Sequence, residues 1–181
     1  MKAIRQILLI VSCFVFLFLF VGCNSIVDNT TSKEKELVCD EHNFKVTLPS
    51  GWKDADGLNE AASIQASNLS KDIHFLTIVE FKDAFSDDYT LEDYMQLLVD
   101  NHYSVIMENI DIGESIETEI DSLPAIQTVI SGEIQKVKLT YLVTFAESQD
   151  RFFQVLAWGS QKSYEDHGEE LHEITNSLKL N

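Results

Sequence analysis

Basic side chains are scarce in this chain: 13 Lys and Arg stand against 30 Asp and Glu in 181 residues. A protein that neutralises phosphates needs a basic footprint, so the balance argues against nucleic acid as a partner. It argues equally against direct electrostatic attraction to anionic lipid. Cysteine is also sparse. Cys13, Cys23 and Cys39 are too few and too spread for a disulfide framework. Seven glycines build no phosphate-cradling loop, and the sequence contains no G-x-S-x-G, no H-E-x-x-H and no EF-hand pattern. No period of 20–50 residues recurs, which excludes a repeat protein. Catalysis therefore has no signature here, and no cofactor is expected.

What is present begins with an address. Lys2 and Arg5 precede an apolar run from Ile7 to Gly22, and a polar segment follows at once. This is the layout of a secretion signal. The run of 16 residues is short for a transmembrane helix, which needs about 20. It is also apolar on every face, unlike a helix on the surface of a core. The tetrapeptide Phe20-Val21-Gly22-Cys23 resembles the lipobox of bacterial lipoproteins, although Phe20 and Val21 depart from its commonest residues. The resemblance implies a diacylglycerol thioether on Cys23 and cleavage before it. Two acyl chains anchor stably where one does not. Cys13 follows too short an apolar stretch to compete.

Residues 1–22 are read as the leader and 23–36 as a polar, flexible tether. Residues 37–181 are read as one folded domain. The leader carries two of the 13 basic residues and none of the 30 acids, so the mature formal charge moves from −17 to −19. Such acidity suits a soluble exported domain, or a cationic partner. Cys39 is left without an intramolecular partner. His42 is only three residues away, but sequence proximity alone is a weak sign of a nucleophile pair.

Phe44, Val46 and Leu48 alternate with Lys45 and Thr47, predicting a strand that Pro49-Ser50-Gly51 ends. Ala61–Asn68 is a weaker strand. Ile73–Phe81 is apolar on both faces and reads as central. Thr90–Ile106 predicts a helix with Leu91, Tyr94, Leu98 and Val105 on its buried line, capped by Thr90 with Asp93. Ser115–Ile120, Ala125–Ser131, Val137–Ala146 and Phe152–Trp158 predict four more strands, the last three a meander. Ser122-Leu123-Pro124 reads as a turn. Ser163–Leu178 predicts a final helix weakened by Gly168. The order βββαββββα gives an α+β fold. It is an α/β/α sandwich with a mostly antiparallel sheet of six to seven strands flanked by helices.

The segments FKVTLPSGW, TLEDYMQLL, IDSLPAIQTVI and LHEITNSLKL, in this order over residues 37–181, resemble the PsbP-like family. That family spans the extrinsic photosystem II protein, related bacterial lipoproteins and the eukaryotic Ran-binding Mog proteins. The resemblance implies the sandwich fold and assembly or interaction rather than catalysis. It transfers no partner and no site residue. Trp52 is expected to pack under the first helix, with an exposed anchor as the alternative.

Candidate sites are few. Phe85 and Tyr89 stand among Asp83, Asp87 and Asp88 between a strand and a helix. Aromatics in such a connection anchor partners, unless both rings tuck into the sheet edge. His167 and His172 diverge on a helix, because five residues turn it by about 500°. Glu169, His172 and Glu173 share a face and offer a surface cation site, or simply a solvated face. His42, His74 and His102 meet only if folding brings them together. The leading expectation is a non-catalytic interaction lipoprotein on the outer face of a bacterial cytoplasmic membrane. Its partners would be the membrane, through the anchor, and another extracytoplasmic or membrane protein. The alternative is a lipoprotein that binds a small ligand or a divalent cation.

Overall fold

A computed structural model describes residues 34–181. The expected leader (1–22), Cys23 and the tether as far as residue 33 lie outside the described residues.

Eleven strands form two antiparallel sheets among the described residues. The smaller sheet has the order β1 (Lys35–Cys39), β2 (Phe44–Leu48), β11 (Lys179–Leu180). The larger one contains β3 (Lys53–Asp54), β4 (Ile64–Asn68), β5 (Ile73–Phe81), β6 (Glu108–Ile112), β7 (Ile116–Ile120), β8 (Leu123–Ile134), β9 (Val137–Glu147) and β10 (Arg151–Ser160). Its order is β3-β4-β5-β10-β9-β8-β6, and β7 also pairs with β8. The expected meander is therefore present. Its last strand, β10, lies between β9 and β5 at the middle of the sheet.

The alternation of side chains explains the two cores. On β10, Phe153, Val155 and Ala157 point to one face, and Phe152 and Leu156 to the other. The first face is covered by α3 (Gln161–Thr175), through Leu171 and Ile174, and by Phe44, Val46 and Leu48 of the small sheet. The second is covered by a helical layer that starts with α1 (Leu91–Leu98), through Leu91 and Tyr94. This is the expected α+β sandwich, with a small sheet added beside α3. Among the described residues no helix is long and apolar enough to cross a membrane.

The first helix starts as the sequence predicts. Thr90 Oγ1 accepts from the Asp93 N–H at 3.2 Å, and Asp93 Oδ2 accepts from the Thr90 N–H at 3.1 Å. It does not continue as predicted. Val99–Tyr103 is a π turn, followed by the short α2 (Ser104–Ile106). A π turn inserts one residue into the helical count. The buried line therefore shifts to Val99, Tyr103 and Met107, and Val105 is left 74% exposed instead of in the core.

Other boundaries differ for local reasons. The turn expected at Ser122-Leu123-Pro124 is the pair Asp121-Ser122, with φ of 50° and 66°. Leu123 already pairs with Ile120. Pro124 lies inside β8 opposite Glu119, where it needs no outward donor. α3 is capped by Ser160, bends at His167 beside Gly168, and ends at Thr175. Leu178 belongs to the run into β11 rather than to the helix. β1 begins at Lys35, so the last two residues of the expected tether are strand. Trp52 is buried against the closing helix, not the first: its indole donates to Glu170 Oε1 at 2.7 Å.

Candidate functional site

Phe85 and Tyr89 are brought together at one end of the second core. β5 runs out through Phe81 into a single 3-10 turn (Lys82–Ala84), and the chain then crosses to the cap of α1. This path stacks Phe85 on Tyr89 with centroids 4.9 Å apart. Phe85 also meets Tyr94 and Phe152 edge-on, at 5.7 and 5.6 Å. Tyr94 and Phe152 are stacked at 4.4 Å. Both loop rings are thus half-buried. Offset and edge-on pairs of this kind are favourable beyond their area. The two roles separate. Tyr89 lines a groove of about 470 Å³ with the exposed Phe81 and with Lys82, Asp83 and Asp87; Phe152 is fully buried beneath it, and Phe85 supports Tyr89 from behind.

The groove has a fixed charge pattern. Lys82 Nζ lies 4.8 Å from the centre of the Phe152 ring and is paired with Glu147 Oε2 at 2.6 Å. Asp150 grips Arg151 at 2.7 and 2.9 Å, and these bonds hold its carboxyl down at about 2. With the cations of Lys82 and Arg151 already engaged, Asp83 and Asp87 give the rim a negative surplus. Beneath the groove, the Tyr94 hydroxyl donates to Glu80, and Gln154 Nε2 donates to Tyr94 at 2.9 Å and to Glu80 at 3.1 Å. Burial and the bond to Glu80 push the Tyr94 hydroxyl far above its usual range, so it remains a donor. A satisfied network of this kind holds its members in one arrangement.

The metal candidates do not assemble. Among the described residues, no group of three or more His, Cys, Asp or Glu side chains is placed to hold a metal ion. Glu169, His172 and Glu173 remain exposed on α3. Their neighbour Glu170 is the engaged residue, accepting from Trp52 and from Lys71. His42 packs on Phe81, His102 on Tyr103, and His74 on Trp158. The three histidines thus have separate partners. Cys39 is buried in the first core as a free thiol.

Sequence reasoning missed one row of side chains on the second face. Ser67, His74, Trp158 and Tyr141 are cross-strand neighbours on β4, β5, β10 and β9. Trp158 lies 5.2 Å from the His74 ring and 5.6 Å from Tyr141. The signal was a set of rings carrying polar atoms at alternating positions in strands otherwise apolar on both faces. His74 Nδ1 bonds Ser67 Oγ at 2.9 Å, and Asp72 stands 3.9 Å from Nε2. That separation is beyond hydrogen-bond reach, and Ser67 is buried. The trio therefore lacks the carboxylate-oriented base of a hydrolytic triad.

No protein-family model and no curated protein matches the sequence. Solved structures share the fold. Cyanobacterial PsbP (CyanoP) from Synechocystis sp. PCC 6803 is similar with a TM-score of 0.62 at 12% identity, over 89% of this chain and 99% of that one. The Ran-binding protein Mog1p of Saccharomyces cerevisiae is similar with a TM-score of 0.58 at 10% identity, over 81% of this chain and 95% of its own. LpqN of Mycobacterium tuberculosis, involved in cell envelope biogenesis, is similar with a TM-score of 0.57 at 9% identity, over 83% and 87%. At such identities the likeness establishes the fold.

Proposed function

We propose that this chain is a non-catalytic protein-interaction module. It is held on the outer face of a bacterial cytoplasmic membrane by lipid on Cys23. Its Phe81–Tyr89 groove captures a basic segment of another extracytoplasmic or membrane protein. The observation that carries this reading is the groove: accessible Phe81 and Tyr89 rings, backed by buried Phe152 and the Tyr94–Glu80–Gln154 network, beside Asp83 and Asp87 on the rim. Aromatic rings supply binding energy, and rim charges steer association. The fold supports the reading, because Mog1p, which shares it, binds Ran. The lipobox-like Phe20-Val21-Gly22-Cys23 supports the address.

Cross-linking in intact cells followed by mass spectrometry tests the proposal. The wild-type chain should capture a protein that the Tyr89→Ala chain loses. Identical capture profiles would move the contact surface away from the groove.

A further inference from the structure

Between Lys82 and Lys136 the chain has thirteen Asp and Glu and not one Lys or Arg. This stretch builds the helical layer and one border of the large sheet. β6 and β7 lie end to end along β8, and no strand pairs with the other side of β7 among the described residues. At the opposite border β3 is only two residues long, so β6–β7 is the extended edge. Glu108, Asp111, Glu114, Glu117 and Glu119 lie along it. Apolar side chains are exposed there too: Ile116 by 62%, Ile112 by 42%, and Val105, turned outward by the π turn in the neighbouring layer.

The register assigns each edge group. Ile120 and Leu123 close the two-residue turn as a hydrogen-bonded pair. Pairs alternate along an antiparallel ladder, so Glu119 and Glu117 point their N–H and C=O groups away from β8. Opposite Glu117 stands Ile126 of the second core, so the glutamates lie on the helical-layer face. Ile116 and Thr118 then lie on the other face. An incoming strand would meet free backbone groups along its length, carboxylates on one face, and Ile116 on the other.

Acidic edges protect a sheet from its own kind. A second copy pairing here would set glutamate rows against glutamate rows. The same acids that exclude that pairing select a strand of opposite charge. We propose that the β6–β7 edge receives an extended segment of a partner protein, in which Lys or Arg alternates with apolar residues, as a further strand on β7. The edge is separate from the Tyr89 groove, so either surface can fail without the other.

The probe is a short fluorescein-labelled peptide of alternating Lys and Val, with a Glu–Val peptide of equal length as control. Binding to the full chain is read by anisotropy. The Lys–Val peptide should bind saturably and the Glu–Val peptide should not. Glu117→Pro removes an outward donor without touching the β7–β8 ladder, and should weaken Lys–Val binding about tenfold or more, some 1.4 kcal/mol. Glu117→Lys combined with Glu119→Lys should reverse the preference between the peptides. The proposal is overturned if wild type shows no saturable Lys–Val binding, or binds both peptides alike. Equal affinity in a folded Glu117→Pro chain overturns it too. If that variant fails to fold, an unchanged preference in the Lys double variant overturns it instead.

Discussion

Replacing Phe85 by Ala removes the ring that joins the loop to the second core. Its neighbours are Tyr89 at 4.9 Å, Phe152 at 5.6 Å and Tyr94 at 5.7 Å. Truncating a fully buried Phe costs about 3–5 kcal/mol. Phe85 is half-buried, so about 2 kcal/mol is expected, by proportion of the area lost. For a chain of this size that lowers the melting temperature by about 4–8 °C. Tyr89 lies at the rim, with a stacked and an edge-on partner and a 3.2 Å bond to the Asp93 carbonyl. Tyr89→Ala should cost about 1 kcal/mol, or roughly 2–4 °C. Capture should separate the two variants differently: Tyr89→Ala loses contact area directly, whereas Phe85→Ala acts by loosening Tyr89. Calorimetric melting at fixed pH and salt, run beside the capture assay, reads both. A Phe85→Ala melting point within about 1 °C of wild type would refute the packing argument. Capture that survives Tyr89→Ala in a folded chain would refute the functional one.

Cys23→Ala should leave an uncleaved precursor without lipid label; normal processing and labelling would remove the anchor from the proposal. Cys39, free and buried, should react with a thiol reagent only after unfolding, and a reductant should leave the urea midpoint of the protein unchanged. Burial lowers the pKa of His74 from 6.5, partly opposed by Asp72. The unfolded chain therefore binds more protons just below pH 6.5, and stability should fall as pH drops through 6.5 and level off below the folded pKa. His74→Gln should flatten that limb in a plot of urea midpoint against pH. Calorimetry with divalent metals should find no micromolar site; one abolished by Glu169→Ala with His172→Ala would restore the cation reading.

Sequence was most legible where one side chain decides one local outcome. Phe44, Val46 and Leu48 alternate and are fully buried, and Thr90 with Asp93 forms the expected box. It was least legible where the outcome depends on distant packing. Val105 fits a helical line by spacing, but nothing nearby announces the π turn that rotates it out. β6 is exposed or half-exposed at every position, so it has no apolar period, and only pairing with β8 makes it a strand. β1 and β11 are likewise held by β2 from opposite ends of the domain. In the candidate site, Phe85 and Tyr89 were visible as aromatics among acids. The division of labour between them depends on Tyr94 and Phe152, which lie on other elements. The Ser67–His74–Trp158–Tyr141 row was invisible because its members meet only through strand register.

The place of β10 has a consequence for the order in which the molecule comes into being. β10 joins a half-sheet of β3, β4 and β5 to a half-sheet of β9, β8, β7 and β6. Its register sets Arg151 beside Phe81, about 70 residues earlier in the chain. A chain that emerges N-terminus first therefore displays the border of β5 with no neighbour while the next 70 or so residues are made. Neither core can close before Ser160, and the first core also waits for Leu171 and Ile174. Pairings this distant in sequence form slowly. The topology delays cooperative closure until nearly all of the polypeptide has been made.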